Sequence, residues 1–220
     1  MDRPNSEIEG IAFVVIGSFN PAIFHPSWLL AQNLIRREEA ESAKIQVVHP
    51  NATSFAIGSV ELQVTADRLS VSTNDAASYE FARDLTMGSL RILSHTPVRS
   101  MGMNKNFHFS MPSEEMWHAV GHRLTPKEPW AGILEQPGMV DITMEGKRPD
   151  EFNGYIRVSV QPSGRIKPGV FISVNDHYQY DHKDSTPSQG CDVMVNIITS
   201  NWGNFLDLSN RISSSIIGFV

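Results

Sequence analysis

An α+β fold, with antiparallel meanders packed by helices, follows from three patterns in the sequence. Apolar and polar residues alternate through many short stretches, the mark of strands buried on one face. Tight polar turns join several of these stretches, so the regular strand–helix alternation of a parallel sheet is missing. Between them lie segments with apolar residues at helical spacing. With 220 residues, the chain is expected to be either one domain or two similar halves, 1–136 and 137–220, meeting near Gln136-Pro137-Gly138.

The stretch from Ser54 to Met111 is the organising unit. Val60, Leu62 and Val64 alternate with Glu61, Gln63 and Thr65, and Ala66-Asp67-Arg68 turns the chain into a second strand bearing Leu69 and Val71. Asn74-Asp75 caps a helix whose Phe81, Leu85 and Ile92 line one face, and Thr96-Pro97 ends it. From Val98 to Met111 the alternation returns. Met101, Met103, Phe107 and Phe109 point one way, while Ser100, Asn104, Asn106 and His108 point the other and Lys105 breaks into the apolar face.

Before this unit, the continuous apolar run Ile11 to Ile16 predicts a strand buried on both faces, and Pro26 starts a helix expected to run to about Ser42. Lys44 to Val48 is a short strand. After it, Ser113 with Glu114 and Glu115 starts one short helix, and Thr125-Pro126-Lys127-Glu128 a second. Strands follow at Val140 to Met144, Ile156 to Val160, Val170 to Val174 and Asp192 to Thr199, and Ser200 or Asn201 caps a final helix with Phe205, Leu208, Ile212 and Ile216 on its apolar face.

Composition narrows the function classes. Twenty-four acidic against 18 basic residues give a formal net charge of −6, which disfavours nucleic acid as the main partner, because such binding rests on clustered Lys and Arg. The pairs Arg36-Arg37 and Lys147-Arg148 read as solvated faces. Cys191, the only cysteine, reads as a small buried strand residue with no activating neighbour. The N-terminus lacks the apolar core of a signal peptide, and no apolar run reaches membrane-spanning length, so a cytoplasmic protein with no membrane partner is expected. Neither a phosphate-binding Gly-Lys-Ser/Thr loop nor a Gly-x-Ser-x-Gly elbow is present, and no cofactor is expected.

Three groups of residues merit attention as sites. Asn104, Asn106 and His108 share one strand face, and asparagines there want partners in a ligand, a loop or another subunit. His118 and His122 stand four apart on a helix, a spacing that suits two metal ligands, although Ala119 follows where a metallohydrolase helix has its glutamate. Asn175-Asp176-His177 ends a strand and leads to Asp181-His182-Lys183-Asp184. Asp176 falls on the core-facing side and must be tied to a backbone amide or a basic side chain. Asn175, His177 and His182 are left for a ligand or partner. A metal site would draw on His118, His122, Asp176 and His177.

Two resemblances add to this reading. Phe13-Val14-Val15-Ile16-Gly17-Ser18-Phe19-Asn20-Pro21 resembles the first motif of the adenylyltransferase nucleotidyl-transfer family, but Ala22-Ile23-Phe24-His25 departs from its two-histidine pattern, and the arginine expected after Ser213-Ser214-Ser215 is missing. Over most of the chain, the Ala66-Asp67-Arg68-Leu69 hairpin, Thr96-Pro97-Val98, Val174-Asn175-Asp176-His177-Tyr178 and Asn201-Trp202 look like a sporadically distributed family of uncharacterised bacterial proteins. The patchy occurrence of that family implies accessory roles, phage defence among them; it has no assigned activity, so no functional residue carries over, and within the sequence itself no complete catalytic constellation is found. The expected function is therefore a non-enzymatic protein-binding or assembly component, acting through another protein or by self-association. The alternatives are a metal-dependent hydrolase or small-molecule enzyme using the His/Asp clusters, and a degenerate nucleotidyltransferase-like protein.

Overall fold

The computed structural model describes residues 6–180 and 190–218. In chain order the strands are β1 (Ser6–Gly17), β2 (Lys44–His49), β3 (Ala52–Ile57), β4 (Val60–Thr65), β5 (Arg68–Thr73), β6 (Val98–Ser110), β7 (Ile142–Lys147), β8 (Gly154–Pro162) and β9 (Gly169–Gln179). The helices are α1 (Pro26–Ala31), α2 (Arg37–Glu41), α3 (Tyr79–Ile92), α4 (Glu114–Leu124) and α5 (Gly190–Ile217). All nine strands join one sheet in the order β2-β3-β4-β5-β1-β6-β9-β8-β7, antiparallel at every step. The α+β expectation holds. The sheet runs through both expected halves, and Pro137 lies in the connection from α4 to β7.

The alternating residues bury one face of this sheet. Ile11, Phe13 and Val15 of β1, Leu69 and Val71 of β5, and Met101 and Met103 of β6 pack under Ala82, Leu85 and Leu90 of α3 and Met194, Ile198 and Phe205 of α5. Further along, Phe107, Phe109, Val170, Ile172 and Val174 pack with Val120 of α4 and Ile217 of α5. Helix α5, 28 residues long and so about 42 Å from end to end, therefore spans both parts of the core. Trp202 joins its neighbours directly: its ring lies 5.6 Å from that of Phe13, and its indole Nε1 donates to Glu80 Oε1 of α3 at 2.8 Å.

Several local expectations are corrected. The run from Asp192 to Thr199 is the first part of α5, not a strand, and Ser200 and Asn201 lie in mid-helix. Its buried positions (Cys191, Met194, Val195, Ile198, Trp202, Phe205) recur at helical spacing, which a short apolar run alone does not reveal. Cys191 is buried in the first turn, where its Sγ donates to Leu93 O at 3.2 Å and burial pushes the thiol pKa up to about 11. The helix expected from Pro26 to Ser42 is broken into α1 and α2, with Asn33 at φ 56° between them. Strand β1 buries one face fully and leaves Ala12, Val14 and Ile16 only half-buried. The second short helix expected from Thr125 is a single turn, Glu128–Trp130, and Thr125 instead caps α4, donating to Gly121 O. Ile92 is exposed.

The Gly17-to-Pro21 segment closes the end of the sheet. Gly17 N donates to Asp67 O and Ser18 N to Pro97 O, and a Cβ on Gly17 would stand 2.6 Å from Pro97 O. Asn20 caps the turn at Pro21–Ile23, and His25 caps α1 through its Nδ1.

Two cations lie inside the helix-side layer. Lys105 is 4% exposed and is held by Glu9 at 3.0 Å and by Asn210 Oδ1 of α5 at 2.6 Å. Arg148, expected on a solvated face, is buried. Its guanidinium donates to Asp176 and to Asp150 and sits 3.8 Å above the Tyr178 ring, whose hydroxyl also donates to Asp176. Asp176 is thus tied to a basic side chain as its position demanded. Burial raises the Asp176 pKa, with Arg148 pulling the other way, and the hydrogen bond from Arg148 holds Asp150 below the usual range. Removing one partner strands the other charge in the core, so Asp176→Ala should cost roughly 3 kcal/mol in urea denaturation. The double variant Arg148→Met/Asp176→Leu should lie closer to the parent than either single change.

Candidate functional site

The pleat sends every second side chain to the face opposite the helices. Register aligns these residues in rows across β6, β9, β8 and β7. One row is Asn104, Asn175, Arg157 and Glu145; the next is Gly102, His177, Tyr155 and Lys147; a third is Asn106, Ser173, Ser159 and Thr143. His108, Phe171 and Gln161 form a fourth. Asn104, Asn106, His108, Asn175 and His177 therefore share one polar, half-buried surface, while His182 lies outside the described residues.

Within this surface two centres stand out. At the first, Asn175 Nδ2 donates to Asn104 Oδ1 at 2.5 Å, and Asn104 Nδ2 reaches Ala12 O and Gly102 O, tying β9 to β6 and β1. Gly102 is needed here, since a Cβ would stand 2.7 Å from Asn175 Nδ2. Asn175 Oδ1 is buried without a partner. Beside it the His177 ring stacks on Tyr155 at 4.4 Å, and the Arg157 guanidinium lies 4.6 Å from the centre of the Tyr155 ring while pairing with Glu145 at 2.7 Å. At the second, His108 packs on Phe171 with ring centres 4.7 Å apart and lines a pocket of about 440 Å³ with Gly10, Asn74, Asn106 and Arg165.

The histidines of α4 stand elsewhere. His118 and His122 have ring centres 6.4 Å apart beside a cavity of about 700 Å³ that also touches Trp117, Lys127, Met139 and Val170. Asp176 and His177 point to opposite faces of β9, and Asp176 is six residues from Val170, about 20 Å along a strand. Among the described residues no three His, Cys, Asp or Glu side chains converge as a metal site would need. Tyr155, Arg157, Arg165, Asn74 and Gln161 are not singled out as site residues by the sequence, where Asn74 reads only as part of a helix cap. The first two and Gln161 were legible as the polar positions between Ile156, Val158 and Val160; Asn74 and Arg165 reach the pocket only through folding of their loops.

The chain matches no protein-family model and no curated protein. Among the described residues no helix is long and apolar enough to cross a membrane.

His108 and His177, both on the open face, are harder to protonate than a free imidazole. Burial lowers the pKa of His108, helped by Arg165, and burial lowers that of His177 against a hydrogen bond that the ring donates to Gln179. An imidazole with a depressed folded pKa lets the unfolded chain take the proton first, so stability is lost as pH falls through about 6.5. Histidine NMR should give both residues midpoints below the free value. His108→Gln combined with His177→Gln should flatten the fall in stability between neutral and mildly acidic pH; an unchanged slope would show that these two rings do not set it.

Proposed function

We propose that this chain is a non-enzymatic binding and assembly protein that associates with a second copy of itself through the β7 edge of the sheet. The observation that carries this reading is where apolar surface is left exposed. Of the nine exposed large hydrophobics among the described residues, three (Ile45, Val47, Val48) lie on edge strand β2 and five (Trp130, Ile133, Leu134, Val140, Met144) on edge strand β7 or in the segment that leads into it. Unpaired edges are normally blunted by bulges or charge. β2 has such a bulge at Gln46, whereas β7 pairs with β8 in regular register and presents a straight outer edge.

The sequence of β7 is self-complementary. In an antiparallel pair centred on Met144, Asp141 faces Lys147, Thr143 faces Glu145, and the two Met144 side chains meet on the apolar face. Opposite charges directly across a strand pair are favourable, and a two-fold axis supplies each pair twice. Neither Asp141 nor Lys147 makes an ion pair among the described residues. The product is a continuous sheet with the polar faces of both copies side by side, a broad platform for a further protein.

We also propose that the chain is built from two similar halves. β1 and β6 lie side by side at the sheet centre, and each is followed by helices, a meander that ends next to it, and a long helix. On this reading the boundary falls before Val98 instead of at Pro137.

Sedimentation equilibrium tests the assembly. The parent should be a dimer, Thr143→Pro a monomer, and Lys147→Asp weakened by about tenfold or more, a loss of about 1.4 kcal/mol. Asp141→Lys added to Lys147→Asp should restore the dimer. A monomeric parent, or a dimer indifferent to Thr143→Pro, would overturn the proposal.

A further inference from the structure

The pocket beside His108 is chemically more specific than a protein-docking face requires. Ser163 Oγ accepts from the backbone N–H groups of Arg165 at 3.1 Å and Ile166 at 3.0 Å, and stands 2.8 Å from His108 Nδ1. Both acceptor positions of the hydroxyl are filled, so its proton points to Nδ1. The neutral imidazole then carries its own proton on Nε2, which makes that nitrogen a hydrogen-bond donor. The β8–β9 hairpin thus fixes the tautomer as well as the position of the ring.

Around this ring the hydrogen-bonding capacity is unspent. The side-chain amides of Asn74, Asn106 and Gln161 and the guanidinium of Arg165 make no hydrogen bond or ion pair among the described residues, yet all four line the same pocket. The one carboxylate at its rim, Glu9, is already held by Lys105 at 3.0 Å on the helix side. Gly10 makes room for the Asn74 side chain, whose Oδ1 a Cβ there would overlap, and Ile8 and Phe171 supply an apolar wall. A fixed N–H donor, three free amides and one free cation converge on a space of about 440 Å³, within the range of small-molecule sites.

We propose that this pocket binds a small organic oxyanion: a carboxylate or phosphate group that takes the donors of His108, Asn106 and Arg165, carried on an apolar or aromatic body that rests against Phe171 and Ile8. Arg165 supplies the charge and, with its planar fork, the bidentate geometry that either oxyanion accepts. The site is independent of assembly through β7, since it lies at the end of β6 and draws on no β7 residue.

The test is an NMR titration of the His108 ring, assigned with His108→Gln, using benzoate, phenyl phosphate and the neutral isostere benzamide. Benzoate or phenyl phosphate should shift the His108 resonances saturably at millimolar concentration or below, and benzamide should not. The tighter of the two anions identifies the natural group as a carboxylate or a phosphoester, and either result supports the site. Arg165→Gln, at an exposed position that leaves folding intact, should weaken anion binding by about tenfold, or 1.4 kcal/mol. No saturable shift with either anion, equal binding of benzamide, or an unaffected Arg165→Gln variant would overturn the proposal.

Discussion

All the helices lie on one side of a nine-stranded antiparallel sheet, and most other features of the molecule follow from that arrangement. Because side chains alternate across the pleat, a register that buries Phe13, Met103 and Ile172 beneath α3 and α5 must send Ala12, Asn104 and Ser173 to the opposite face. A one-residue slip of β6 would drive Asn104, Asn106 and His108 into the core. The apolar alternation that drives folding therefore also assembles the polar surface, with no separate instruction needed.

Buried charge then pins the register. Lys105 interrupts the apolar side of β6 and finds Glu9 on β1 and Asn210 on α5; Arg148 reaches Asp176 from the end of β7. Each cation is satisfied only when particular elements meet in one alignment. Such pairs contribute little net stability compared with apolar side chains of similar size, but breaking them is costly, so they penalise other packings. Here they link the centre of the sheet to α5 and the end of β7 to β9.

The antiparallel fold, the hairpins and the face assignments of β4 to β6 and β9 were legible in the sequence because period-2 alternation is a local property. The position of Asp176 on the core side was legible for the same reason, and its need for a cation followed from the cost of burying a carboxylate. The first turns of α5 were not legible, since Val193 to Ile198 fits a buried strand as well as a helix and only the length of the whole segment decides. Arg148 was misjudged because its burial depends on a partner 28 residues away. Ala52 to Ile57, strand β3, was passed over because alanine, serine and threonine there give too weak an alternation, and only the turn at Gly58, with φ 57°, makes the hairpin explicit. The pocket at His108 joins residues from four separate segments, which no local pattern encodes.

A sheet with one covered face leaves two edges, and this chain treats them differently. The bulge in β2 breaks its ladder, while β7 stays regular, charged in a self-complementary pattern, with Met144 exposed within it and Val140 exposed just before it. Amide hydrogen exchange followed by mass spectrometry at low and high protein concentration measures that difference directly. The account predicts that amides of Ile142 to Lys147 become protected as concentration rises, while those of Lys44 to His49 exchange at a constant rate. Exchange in β7 that is independent of concentration would contradict it.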